Sequence, residues 1–95
     1  MTLVYEREMT ITHKDFLRLL PKAIGGLSYQ LNDKQIDIVD AGRSIRIKLS
    51  KESIRKIASL SLPVTRLRME LRDFTQSESV IFMSRFELAY QKGGG

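Results

Sequence analysis

The chain contains no cysteine, no tryptophan and a single histidine. The absence of cysteine excludes a disulfide framework, a cysteine nucleophile and any site built on thiolate ligands. His13 alone is poor material for a zinc site, which takes two or three protein ligands of this kind. We therefore predict that the protein holds no cofactor and no metal ion, and that His13 is a structural or surface residue.

Long apolar runs are also missing. No segment approaches the ~20 apolar residues that a membrane-spanning helix needs. The first eleven residues carry Glu6, Arg7 and Glu8, which a secretory signal peptide would not. These absences predict a soluble, cytoplasmic protein with no membrane partner. The 95 residues, 42% of them hydrophobic, are enough for a single domain over 1–95, with 93–95 as a flexible tail.

Charge is distributed unevenly along the chain. The net charge is +5, but residues 43–72 hold nine basic and two acidic residues, while the remainder is slightly acidic. A segment of this kind attracts anions, nucleic acid or an acidic protein. The alternative is that these residues form only the solvated outer face of a sheet.

Hydrophobic periodicity predicts the first two elements. Alternating apolar and charged residues over 2–11 are typical of a half-buried strand. Thr12, with Asp15 three residues later, is typical of a helix N-terminus, and Gly25-Gly26 of a helix end. A strand followed by an amphipathic helix is thus expected before residue 27.

Five short strands and a second helix are expected after that point. The strands are predicted over 27–31, 35–39, 44–49, 55–62 and 64–73. Thr75 and Glu78 have capping-box spacing at the start of the last helix. The order β-α-β-β-β-β-β-α, with short turns, predicts an α+β fold. In it an antiparallel β-meander is packed on one face by an N-terminal and a C-terminal helix.

This order is similar to the helix-grip architecture of START-like proteins, in which a curved antiparallel sheet wraps a long C-terminal helix. Residues 73–91 would form that helix here. The resemblance implies a ligand pocket between sheet and helix, lined by Met69, Met83 and Phe86. The alternative is that these three side chains simply fill the core.

Two short segments resemble small uncharacterised bacterial proteins. They are Ser61-Leu62-Pro63-Val64 and the end of the chain from Arg85 onward. That group has no assigned activity, so the resemblance implies only a bacterial, cytosolic origin.

Basic residues of the predicted strands are the first candidate site. They could share one sheet face and bind an anionic partner through phosphate or carboxylate groups. Base stacking would also need aromatic residues on that face, and only Tyr29 is expected there, so nucleic-acid binding is possible but not favoured. Glu6 and Glu8 have the same outward parity and could neutralise neighbouring bases. The candidates are Arg43, Arg46, Lys48, Arg66, Arg68 and Arg72.

The second candidate site lies on the last helix. Ile81 and Leu88 are seven residues apart and lie opposite the main apolar face. A helix that covers a sheet on one side does not need them, so they predict a homodimer or a protein-partner contact.

No acid–base or nucleophile constellation is visible in the sequence, so an enzyme is disfavoured. The best hypothesis is a non-enzymatic binding or interaction module with a basic sheet face and a C-terminal association helix. The alternatives are a small helix-grip ligand-binding protein and a non-specific nucleic-acid binder.

Overall fold

A computed structural model describes residues 1–92. It contains six strands and two helices in the predicted order, which confirms the α+β fold. The predicted tail at 93–95 lies outside the described residues. The elements are β1 (Thr2–Met9), α1 (His13–Ala23), β2 (Tyr29–Asn32), β3 (Gln35–Asp40), β4 (Arg43–Leu49), β5 (Ser53–Ile57), β6 (Leu60–Arg72) and α2 (Gln76–Lys92).

The sheet is antiparallel throughout and is organised around β6. Its main path runs β1-β6-β4-β3-β2, and β5 pairs with β6 off this path. The second half of β6 pairs with β1 along one edge and with β4 along the other. The first half of β6, from Leu60 to Val64, pairs with β5 alone. Because β6 has 13 residues, it is long enough to pair with β5 in its first half and with β1 and β4 in its second half.

Both helices cover the same face of this sheet, as predicted. Alternate residues of the central strands are buried there, and their charged neighbours point to the other face. The helices meet through aromatic rings of α1 and α2. The largest fully buried hydrophobic side chains are Phe16, Leu20, Ile36, Ile38, Ile45, Ile47, Met69, Leu71 and Phe86.

Both predicted helix starts are confirmed at the level of hydrogen bonds. The hydroxyl of Thr12 accepts from the backbone N–H of Asp15 at 3.1 Å. Thr75 and Glu78 satisfy each other's backbone N–H groups, at 3.1 and 2.8 Å. These bonds satisfy N–H groups that have no partner inside the helix, so both helices begin where the sequence predicts.

The predicted strand over 55–62 is wrong. The chain folds back at Ala58-Ser59, and residues 53–64 form a β-hairpin in which Ile57 pairs with Leu60. Pro63 lies within β6 rather than at a break. The sequence does not indicate this turn, because its two residues lack the glycine, asparagine or aspartate typical of such loops. Ala58 nevertheless adopts a φ of 54°.

This hairpin, which we call the β-arm (residues 53–64), extends the sheet beyond its packed region. All five residues of β5 are exposed. The molecule is elongated, with extents of 46, 26 and 23 Å. A five-residue strand is about 16 Å long. Within the β-arm only Val64, at its base, is buried, and a two-stranded hairpin with so little packing is only marginally stable in water.

Candidate binding surfaces

The outer face of the sheet carries most of the predicted anion-binding residues. Each alternates with a buried residue of the same strand, so its side chain projects away from the helices. The register of β4 and β6 then brings these side chains into neighbouring rows. The residues on this face are Arg46, Lys48, Arg66, Arg68 and Arg72.

Carboxylates from β1 neutralise one side of this face. Glu6 lies directly opposite Arg68, and Glu8 opposite Arg66. Glu8 contacts Arg66 at 3.2 Å and Arg55 of the β-arm at 2.6 Å, and Glu6 contacts Arg68 at 3.4 Å. The alternative considered from the sequence, cross-strand pairing of these two acids, is therefore what the structure contains.

The centre of the face is neutralised in the same way. Glu70 lies 3.1 Å from Arg68 and 3.7 Å from Lys48, and Asp37 lies 2.8 Å from Arg46. Of the five basic residues on this face, only Arg72 forms no ion pair with another described residue. The sheet face is thus a nearly balanced lattice of charges rather than a strongly basic surface.

The same contacts lower the pKa values of the carboxyl groups. The guanidinium groups of Arg55 and Arg66 hold the pKa of Glu8 below its usual value. Arg46 lowers the pKa of Asp37, and Arg68, with Lys48, lowers that of Glu70. Each carboxylate is therefore ionised at neutral pH and remains paired with its base.

Arg43 does not belong to this face, contrary to the sequence-based expectation. It has the parity of Ile45, so its side chain projects toward the helices. There it contacts Asp40 at 2.7 Å and Glu78 at 3.2 Å. Its guanidinium lies over the ring of Phe74, 4.6 Å from the centroid. Arg43 therefore joins the β3–β4 turn to the start of α2.

A groove of about 420 Å³ lies beside Arg43, between the end of α1 and the first half of α2. The carboxylates of Asp40 and Glu78 at this groove are both engaged by Arg43. Lys22 and Arg85 also line it, and neither forms an ion pair with another described residue. The apolar side chains that line the groove are Ala23, Ile24, Leu27, Phe74, Ile81 and Phe82.

The predicted association stripe of α2 begins at this groove. Ile81 is 54% exposed and Leu88 is 49% exposed, so neither is covered by α1. Val80, also exposed, widens the stripe at its N-terminal end. Arg85 lies four residues after Ile81 and three before Leu88, on the same side of the helix. The stripe and the groove therefore form one continuous surface.

Sequence reasoning found the stripe but missed the positive charges beside it. Neither Lys22 nor Arg85 is among the candidates that the sequence suggests. The position of Arg85 between Ile81 and Leu88 was the available signal. Lys22 could not be linked to them, because only the packing of α1 on α2 brings it near.

The proposed lining of a helix-grip pocket lies in the core instead. Met69, Met83 and Phe86 are all buried, and Phe86 packs against Phe16 with ring centroids 6.2 Å apart. None of the three lines the groove between α1 and α2. Their placement favours the alternative in which they fill the core.

His13 and Tyr29 both contact other parts of the fold. The His13 ring nitrogen Nε2 lies 2.7 Å from the carbonyl oxygen of Ser50, and the backbone N–H of His13 donates to Glu52. Tyr29 pairs with buried Ile38 and packs against the core, so the expectation that it faces outward is wrong. The outer sheet face thus loses its single candidate for base stacking.

Comparison with known proteins gives no relative for this arrangement. No family model matches the chain, and neither the search of curated proteins nor that of solved structures finds a match. Within residues 1–92, no group of three or more metal-ligating side chains is placed to hold an ion. Neither helix, over that same range, is long and apolar enough to cross a membrane.

Proposed function

We propose that the protein is a non-enzymatic interaction module that binds an acidic, partly apolar segment of a partner protein. The binding surface is the groove between α1 and α2 together with the exposed stripe of α2. The observation that supports this most directly is the presence of Lys22 and Arg85, both without ion pairs among the described residues, beside exposed apolar side chains. The cytoplasmic location stays a prediction.

The groove has the composition of a peptide-binding surface. Its apolar lining offers burial to hydrophobic anchors, which supply most of the binding free energy at such sites. Lys22 and Arg85 at the same groove select for acidic flanking residues by charge complementarity. The outer sheet face offers less free positive charge to an acidic partner, because four of its five basic residues already form ion pairs.

Binding to synthetic peptides tests this proposal. The probe is a fluorescent amphipathic helical peptide with leucine anchors and glutamate flanks, compared with the same peptide carrying lysine flanks. We expect the acidic peptide to bind and the basic one not to, with affinity falling as salt rises. Arg85→Glu and Ile81→Asp should weaken binding about tenfold or more.

Val39→Asp is the matched control, since Val39 is an exposed apolar residue of the outer sheet face. Equal affinity for acidic and basic peptides, or unchanged binding by Arg85→Glu, would contradict the proposal. Sedimentation of Leu88→Glu beside the wild type shows whether the stripe instead joins two copies of the chain.

A second candidate is anion binding at Arg72 of the sheet face, favoured by its lack of an ion pair. Binding of single-stranded oligonucleotides at low salt, lost in Arg72→Ala, is its expected result. No measurable binding at low salt would eliminate it.

A further inference from the structure

The two edges of the β-arm differ in their capacity to accept another strand. Along β6, the backbone N–H and C=O groups of odd-numbered residues point toward β1, and those of even-numbered residues point toward β4. Thus the N–H of Asp73 donates to the carbonyl oxygen of Met1, and the N–H of Ser50 donates to the carbonyl oxygen of Arg66. The residues of β5 that pair with Leu60 and Leu62 therefore direct their backbone N–H and C=O groups into the hairpin. Ile54 and Lys56, which alternate with those partners, direct theirs outward.

Pro63 closes one edge of the β-arm. It is an odd-numbered residue of β6, so it lies on the edge that faces away from β5. Proline has no backbone N–H, and proteins use it to block strand addition at an exposed edge. The β5 edge has no such block and presents the N–H and C=O groups of Ile54 and Lys56.

The segment 52–56, which begins one residue before β5, is complementary to itself in one antiparallel register. When Ile54 lies opposite its own copy, Glu52 of each chain lies opposite Lys56 of the other. In this register the outward backbone N–H and C=O groups of the two copies of Ile54 face each other and can form hydrogen bonds. The register also forms two opposite-charge pairs, one on each side of the apolar centre. The registers that slide toward the turn place Arg55 opposite Arg55 or Lys56 opposite Lys56, which like-charge repulsion disfavours.

Exposure is consistent with this pairing. Ile54 is 70% exposed although it is a large aliphatic residue. Its direct neighbour across the hairpin is Pro63. If two β-arms pair, the two copies of Ile54 lie side by side at the centre, and each has its own Pro63 on its other side. The four side chains then form one apolar row across four strands.

We infer that the β5 edge of the β-arm joins two copies of this chain through antiparallel pairing centred on Ile54. This interface is distinct from the groove of α1 and α2, and it goes beyond the proposed peptide binding. The partner is a second copy because the chain itself supplies both the matching charges and the matching apolar centre.

Sedimentation velocity of the full chain over a range of concentrations tests the inference. The wild type should pass reversibly from monomer to dimer. Ile54→Pro removes the outward N–H at the centre without removing a bond of the hairpin, and should abolish the dimer. Lys56→Glu places like charges opposite each other and should weaken association about tenfold or more. Val39→Asp is the control and should behave as the wild type.

Mixing two variants tests the register itself. Glu52→Lys and Lys56→Glu should each associate poorly alone, but their mixture restores both opposite-charge pairs and should form a heterodimer. Because Glu52 also bonds the backbone N–H of His13, circular dichroism checks the fold of Glu52→Lys. Should that variant unfold, Ile54→Pro and Lys56→Glu decide the question, since neither side chain forms a hydrogen bond or ion pair with another described residue.

Two results would overturn the inference. They are a wild type that stays monomeric at all concentrations and a dimer that Ile54→Pro leaves intact. In the second case, loss of the dimer in Leu88→Glu would assign it to the stripe of α2. Peptide binding by Ile54→Pro separates the two proposals: retained binding by a monomeric variant supports the groove independently of the β-arm.

Discussion

Tyr90 of α2 donates its hydroxyl hydrogen to the carbonyl oxygen of Phe16 in α1 at 2.9 Å, and the two rings stack with centroids 4.9 Å apart. Burial raises the pKa of the Tyr90 hydroxyl, with a smaller contribution from Tyr29. The phenol is therefore neutral at any ordinary pH and remains a donor. One side chain thus fixes the two helices to each other.

Replacing this hydroxyl tests its contribution to stability. Tyr90→Phe keeps the stacked ring and removes one buried hydrogen bond, so it should lower the free energy of unfolding by about 0.5–1.5 kcal/mol. Urea denaturation measures the difference. Tyr29→Phe, which removes a half-buried hydroxyl, is the control and should cost less. A Tyr90→Phe variant as stable as the wild type would show that the bond contributes nothing.

Met69 distinguishes a packed core from a helix-grip pocket. Because its side chain is fully buried among other apolar groups, Met69→Ala should lower the free energy of unfolding by about 2–5 kcal/mol. A methionine that lined an open pocket would lose fewer contacts and cost much less. Urea denaturation beside Val39→Ala, an exposed substitution with an effect within about 0.5 kcal/mol, decides between them.

The elements of this fold were predictable because most of them obey local rules. Alternation in β4 and the capping residues Thr12 and Thr75 act over a few positions, so the sequence alone reveals them. The turn at Ala58-Ser59 was not predictable, since its conformation is imposed by the pairing of Ile57 with Leu60 rather than by its own residues.

In the candidate sites, too, some features follow from local sequence rules and others depend on how distant parts of the chain pack. Exposure of Ile81 and Leu88 followed from helical periodicity, because a helix packed on one side leaves its opposite side open. The direction of Arg43 did not follow from charge alone: its parity with Ile45 sends it toward Phe74. Neutralisation by Glu6 and Glu8 depends on β1 lying beside β6, a pairing of two strands that are far apart in the sequence.

Acid should weaken the fold through the carboxylates of the outer face. The pKa values of Glu8, Asp37 and Glu70 are lowered in the folded chain, so the unfolded chain binds protons more tightly. Their stabilising contribution is complete above the unfolded pKa values, near 4, and is lost as the pH falls through the folded values. Stability should therefore be lower at pH 3 than at pH 7.

Urea denaturation at both pH values measures this loss, and Glu70→Gln should reduce it. Asp33→Asn is the control, because Asp33 is an exposed turn residue that forms no ion pair with a described residue. If Glu70→Gln shows the same loss between pH 7 and pH 3 as the wild type, the pairing of Glu70 with Arg68 does not contribute to the acid response.

The turn of the β-arm should accept glycine with a gain in stability. Ala58 has a φ of 54°, a conformation that costs an L-residue roughly 1–2 kcal/mol and that glycine adopts freely. Glycine also makes the unfolded chain more flexible, which offsets about 0.4–1 kcal/mol of this gain. Ala58→Gly should therefore stabilise the β-arm by up to about 1.5 kcal/mol, whereas Ala89→Gly, inside α2, should destabilise the protein by about 1 kcal/mol. Amide hydrogen exchange over residues 53–64 measures the local effect, because the β-arm can open without the rest of the fold. Faster exchange in Ala58→Gly would show that the turn is not strained and that the closing pair Ile57 and Leu60 alone determines its shape.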